Sequence, residues 1–298
     1  MKRMRFGRKQ RAAPTRGPHL PPEDRPAKGT RLSAAEIHDN ILEPALEELE
    51  RPASALLWSA LSSGLLIGFS FLAGAYAQTL VPERLGQAAA AAVYPLGFIL
   101  VIMARSALFT ENTLVPIMPL LNRRTLQTFR KVLRLWALLL VGNLVGALAF
   151  AWALAHTPMA APELHEPLHR LAESATHGGF WLVLYKAIFA GWLIALLTWL
   201  LASTSATGAQ IVLIWLTTAP IAAFQFKHSI AGSVEALYLA VSGAAAPAAM
   251  VRQFIIPAVI GNAIGGVLLV ALVNYGQVAP ERPPQGERPV HRMERSRK

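Results

Sequence analysis

Six apolar stretches, each long enough to cross about 30 Å of hydrocarbon, leave this chain few folds. They run over residues 54–78, 86–121, 135–156, 180–202, 209–243 and 252–275. Inside lipid every backbone polar group must find a partner within the protein, and long unbroken apolar runs do so as helices. The fold class is therefore an all-α integral membrane protein with six transmembrane helices. Composition agrees, because 54% of residues are hydrophobic and 15% charged, against about 25% charged in an average soluble domain. Cysteine is absent, which excludes disulfide scaffolds, thiolate metal sites and thiol catalysis.

The net charge of +11 would suggest nucleic acid if it lay on a folded face. Instead, 11 of the 28 Lys and Arg lie in the first 51 residues and 6 in the last 17. Residues 1–31 read as a disordered basic cytoplasmic tail near anionic lipid, with no nucleic-acid partner and no secretory h-region. Residues 32–53 read as an amphipathic N-terminal helix. There Ser33-Ala-Ala-Glu36 fits a capping box ahead of Ile37, Ile41, Ala45 and Leu49, with Pro44 a point of kinking. Residues 54–276 form the transmembrane domain and 277–298 a second basic cytoplasmic tail. With six spans both termini share a side. The tails and the loop 122–134 hold 22 Lys and Arg, the opposite loops only Arg84, Arg170 and Arg252. The positive-inside rule then places both termini in the cytoplasm of a multi-pass protein of the cell (inner) membrane.

The second and fifth stretches are too long for one span and too short for two plus a loop. Each has polar residues in its middle: Arg105, Ser106, Thr110, Glu111 and Asn112 in one, Lys227, His228 and Ser229 in the other. Such groups survive at membrane depth only inside protein or against a cavity, so both read as broken helices. Gly142-Asn143-Leu144-Val145-Gly146 in the third span returns 119 residues later as Gly261-Asn262-Ala263-Ile264-Gly265 in the sixth. The same offset takes Thr110 to Ser229. Two oppositely inserted three-helix repeats with matched breaks point to a central substrate site. The glycines Gly142, Gly146, Gly261 and Gly265 suit close helix packing. Asn143 and Asn262 are expected to bond backbone freed by the breaks.

Leu108-Phe109-Thr110-Glu111-Asn112 resembles the second-helix loop of the formate/nitrite transporter family. Phe226-Lys227-His228-Ser229-Ile230-Ala231 resembles its fifth-helix F-E-H-S-[IV]-A motif, and Ile256 to Gly266 its sixth-helix signature. Ala187 to Ala195 resembles the fourth helix, so the likeness covers about 34–276. The resemblance implies a homopentamer of protomers with an aquaporin-like helix arrangement. Each protomer would have its own pore for a small monovalent anion such as formate or nitrite, or the neutral acid. It implies that His228 and Thr110 face each other between two hydrophobic constrictions. Phe109, Asn112, Phe226 and Ser229 are carried as pore residues with them. Departures from the pattern are Lys227 for an acid, Ile221 for a constriction phenylalanine, and Gly191 and Gly232 for asparagines.

An anion in such a pore needs donors and positive potential, or a proton. Half-helix N-termini offer free N–H groups, and Thr110 and Ser229 are good N-cap types. His228 suits holding the anion or relaying a proton. Lys227 and Arg105 either face the pore, pair with Glu111 or Glu235, or reach the interface by their aliphatic stems. No enzyme activity, cofactor or metal site is expected; His156, His165 and His169 lack ligand spacing. A neutral-solute channel or a non-conducting membrane scaffold of the same fold remains the alternative.

Overall fold

A computed structural model describes residues 32–278. The expectations for residues 1–31 and for 279–298 fall outside the described residues, which are helical with no strand. The N-terminal helix α1 (Ala34–Glu50) starts where Ser33 and Glu36 cap each other. The Ser33 amide donates to the Glu36 carboxylate at 2.7 Å, and the Glu36 amide to the Ser33 hydroxyl at 3.3 Å. The helix continues through Pro44 and buries Ile41, Ala45 and Leu49 on one face.

Among the described residues, five helices are long and apolar enough to cross a membrane. They are α2 (Ala53–Thr79), the run Glu83–Met103, α6 (Leu126–His156), α8 (Phe180–Leu201) and the last helix, Pro247–Gln277. The run Glu83–Met103 consists of α3 (Glu83–Val93) and α4 (Pro95–Met103). After α4 the chain turns back through a loop and a 3₁₀ turn (Glu111–Thr113) to α5 (Ile117–Arg123). The shorter apolar helices α9 (Thr207–Ala223) and α10 (Ala231–Val241) flank the second loop. Both long stretches are therefore broken. The first half of each is itself long, 21 residues in one case and 17 in the other, or about 31 and 25 Å at helical rise.

Two details depart from the sequence reading. The basic stretch 122–134 is mostly not loop, because α6 begins at Leu126, where the Thr125 hydroxyl accepts from the Thr128 amide. Its charges then serve helix packing: Lys131 pairs with Glu50, and Arg134 donates to the Arg51 carbonyl at 3.2 Å. The segment between α6 and α8 holds a further helix, α7 (His165–Thr176), which buries Leu168 and Ala172.

α2 packs on α6 and α8 on the last helix through matching glycines. A Cβ on Gly142 would lie 2.5 Å from the Ala60 Cβ, and one on Gly261 2.6 Å from the Ala187 Cβ. Gly146 and Gly265 approach the carbonyls of Leu61 and Ile188 at 2.4 and 2.0 Å on the same measure. Gly64 and Gly191 lie against the carbonyls of Asn143 and Asn262, both at 2.2 Å. Gly191 is thus a helix-crossing residue equivalent to Gly64, and no side chain fits there.

Candidate functional site

The two breaks are built alike. At each, a helix ends on a left-handed residue, Arg105 or Gln225, both with φ 53°. The next amide reaches back five residues, Ser106 to the Val101 carbonyl at 3.0 Å and Phe226 to Ile221 at 2.8 Å. An asparagine then pins the loop. The Asn143 Oδ1 accepts from the Phe109 amide at 2.8 Å, and its Nδ2 donates to the carbonyls of Ala60 and Ala107. The Asn262 Oδ1 accepts from the Ser229 amide at 2.7 Å, and its Nδ2 donates to Ala187 and Lys227. Phe109 therefore matches Ser229, an offset of 120, and the pairing of Thr110 with Ser229 is corrected by one residue. The physical frame is the asparagine's three bonds, and the first loop reaches it one residue sooner.

Both loops meet at one contact: Thr110 Oγ1 lies 2.8 Å from His228 Nε2, both residues buried. The Nδ1 of His228 accepts from the amides of Ile230 and Ala231 at 3.2 and 3.1 Å, so the imidazole itself caps α10. An acceptor at Nδ1 puts the ring proton on Nε2, which donates to Thr110. This overturns two expectations. Neither Thr110 nor Ser229 caps a half-helix with its side chain, and the first α10 amides are occupied instead of free for an anion. The His228 ring takes the amides of Ile230 and Ala231, so they are no longer open to a hydroxyl cap. The Ser229 hydroxyl is buried without a hydrogen-bond partner among the described residues.

Cavities lie at both ends of this contact. One, of about 50 Å³, reaches His228, Phe226 and Lys227 from the α7 end and is lined also by Tyr94 and Glu235. The second, of about 250 Å³, lies under α1 and is lined by Arg51, Arg105, Glu111 and Asn112. The ring of Phe98, fully buried, stands edge-on to His228 at 5.0 Å. Lys227 is 3% exposed, and its ammonium donates to the Ser174 and Ala175 carbonyls in the last turn of α7. A cation is favourable at that negative helix end. Lys227 thus lines the cavity while tied to α7, and within 4.0 Å it pairs with neither Glu111 nor Glu235. Arg105 is exposed.

Other candidates are placed in packing. Ile221 is fully buried in the apolar core, and Phe109 meets Trp136 edge-on at 6.1 Å. Asn112 donates to the Leu108 carbonyl, and its own carbonyl accepts from Trp136. Phe226 stacks on Phe189 at 5.3 Å. Sequence reasoning missed Tyr94 and Phe254 as cavity residues and Phe98 as the neighbour of the His228 ring, for they carry no motif. It named Glu235 only as a partner for a cation, seven residues after His228 in the sequence.

Comparison with known proteins decides the family. The sequence model of the family "Formate/nitrite transporter" matches residues 35–276. The chain belongs to the formate/nitrite transporter family. Among relatives of this transporter, the inner membrane protein YfdC of Escherichia coli (strain K12) is 35% identical over 82% of this chain and 79% of its own. The formate channel BtFdhC of Bacillus thuringiensis is 26% identical, covering 80% of this chain and 93% of that one. Two solved structures share the fold at 19% identity. An FNT family ion channel has a TM-score of 0.70 over 81% of this chain and 98% of its own. A pentameric formate channel with formate bound has 0.63, over 76% and 98%. The formate/nitrite transporter family consists of channels and transporters, not enzymes, so the Thr110–His228 pair belongs to a transport protein.

Proposed function

We propose that this protein passes small monovalent anions of the formate and nitrite class, or their neutral acids, through a pore within each protomer. The observation that carries this reading is the buried Thr110–His228 contact, set between two largely apolar cavities that each carry a few charged side chains. Moving an anion out of water without replacing its hydrogen bonds costs many kcal/mol. His228 Nε2–H and the Thr110 hydroxyl are donors that the backbone holds in place before the anion arrives. With its Nδ1 committed to two amides, the ring serves as a fixed donor, and adding a proton there would break the α10 cap. Of the two roles considered for His228, holding the substrate is the one this geometry favours.

α9 with α10 makes the fifth of six spans, the two three-helix repeats are inverted, and the excess of Lys and Arg in residues 1–51 and 282–298 sets both termini in the cytoplasm. The α7 end then faces outward and the α1 end inward. The pentameric formate channel among the structural neighbours supports a homopentamer, and the exposed apolar helix faces suit lipid and neighbouring protomers. Flux of labelled formate and nitrite into vesicles holding the purified protein tests the function. Vesicles no more permeable than empty ones would refute it and leave the non-conducting alternative.

A further inference from the structure

We propose that Glu235 is the proton donor of the outer cavity, handing its acidic hydrogen to the entering anion beside the ammonium of Lys227. This rests on the anion pore of the preceding section. Glu235 lies on α10 two turns from His228, is 7% exposed, and lines the same cavity as Lys227 and His228. Its carboxyl has no hydrogen-bond partner among the described residues, and no ion pair joins it to Lys227 within 4.0 Å. A cavity lined by a donor and an acceptor that do not touch each other is where a small bridging molecule fits.

The ammonium has three N–H donors. Two go to the Ser174 and Ala175 carbonyls, which leaves one for the cavity. The step follows from these positions. An anion accepts the remaining Lys227 N–H, the O–H bond of the Glu235 carboxylic acid breaks, and a new O–H bond forms on the anion's oxygen. The products are a neutral acid and a Glu235 carboxylate facing Lys227. The neutral acid moves past Phe98 to the donors of His228 and Thr110 at a lower desolvation cost. Glu235 takes its next proton from outside water, so one proton crosses with each anion.

His228 does not supply this proton, because its Nδ1 is capped and its Nε2 engaged by Thr110. Tyr94, between α3 and α4, lines the same cavity; Glu83 on α3 and Arg170 on α7 line an adjoining cavity that shares Gln87, Leu171 and Ser174 with it, and Lys186 on α8 is the cation neighbouring Lys227. On α6, His156 bonds the Val241 carbonyl at the far end of α10.

The test follows formate uptake and internal pH together in vesicles with a pH-reporting dye, across a series of external pH values. Wild type should take up one proton per formate, faster as external pH falls and the acid form of residue 235 fills. Glu235→Gln should lower formate-driven proton uptake by about tenfold or more and flatten the pH profile. Glu235→Asp should restore both, which a merely structural role would not require. Glu163→Gln, a carboxyl in the α6–α8 connection outside the cavity, should behave as wild type. Unchanged rate and pH profile in Glu235→Gln, with wild type active, overturns the proposal alone. No flux of formate or nitrite in wild type overturns the pore reading and this inference with it. Glu235→Gln is compared only where it elutes from size exclusion as wild type does. If it does not, the pH profile of Lys227→Met decides. Loss of the cation that stabilises the carboxylate should slow proton-coupled uptake, and an unchanged profile counts against the proposal.

Discussion

His228 holds three bonds that no other residue at that position would hold together. Its Nδ1 satisfies two amides of α10 and its Nε2 meets Thr110. His228→Ala removes a donor from the path of the neutral acid, worth about 0.5–1.5 kcal/mol for an uncharged bond. Formate flux should fall about two- to tenfold, with the shape of its pH profile kept, since the ring is not the proton carrier. The same variant loses a helix cap, about 1 kcal/mol, which a lower melting temperature in detergent would register. Thr110→Val keeps the volume and removes the hydroxyl. It should lower the rate with little change in pH profile, and a rate equal to wild type would remove Thr110 from the path.

At the scale of the elements, Asn143 and Asn262 hold the loops at which the two long apolar stretches break. Asn262→Leu leaves the Ser229 amide and the carbonyls of Ala187 and Lys227 without that partner. Each buried polar group so stranded costs about 1–3 kcal/mol. The expected outcome is loss of folded protein, read as aggregation on size exclusion. Gly191→Asn should fail in the same way, because its Cβ would meet the Asn262 carbonyl at 2.2 Å. At the edge of the fold, bonding to the Ser33 amide and hydroxyl holds the Glu36 carboxyl below its ordinary value. A carboxylate whose folded value is depressed stabilises above its unfolded value, and that help is lost as pH falls through the folded one. The first-turn amides of α1 should therefore exchange faster, relative to their intrinsic rates, at pH near 4 than at pH near 7.

For the whole molecule, the matched pair of breaks comes with two cavities of different size. The α7-side cavity is small and holds Lys227 and Glu235, while the α1-side cavity is wider and carries Arg51 and Arg105 with Glu48 and Glu111. Both breaks come from one chain, so each protomer should conduct by itself within the assembly. Native mass measurement in mild detergent is expected to show five copies, and a uniform population of monomers or dimers would refute the pentamer.

What the sequence determined by itself is the membrane class, the two breaks and the repeat. These depend on local properties: apolar length, polar residues at membrane depth, and glycines and asparagines at a fixed spacing. Even the bonds of Asn143 and Asn262 were legible, because an amide buried in hydrocarbon must find partners and only broken helices leave backbone free. The tertiary structure decided the rest. Which residue caps α10, how the repeats align to within one residue, and where Lys227 points all depend on distances between segments far apart in the chain. The sequence offers Lys227 two carboxylates, yet the carbonyls at the end of α7 hold it, and α7 shows no motif. Glu235 became a site residue only when α10 turned it, unpartnered, into the cavity that Lys227 and His228 share.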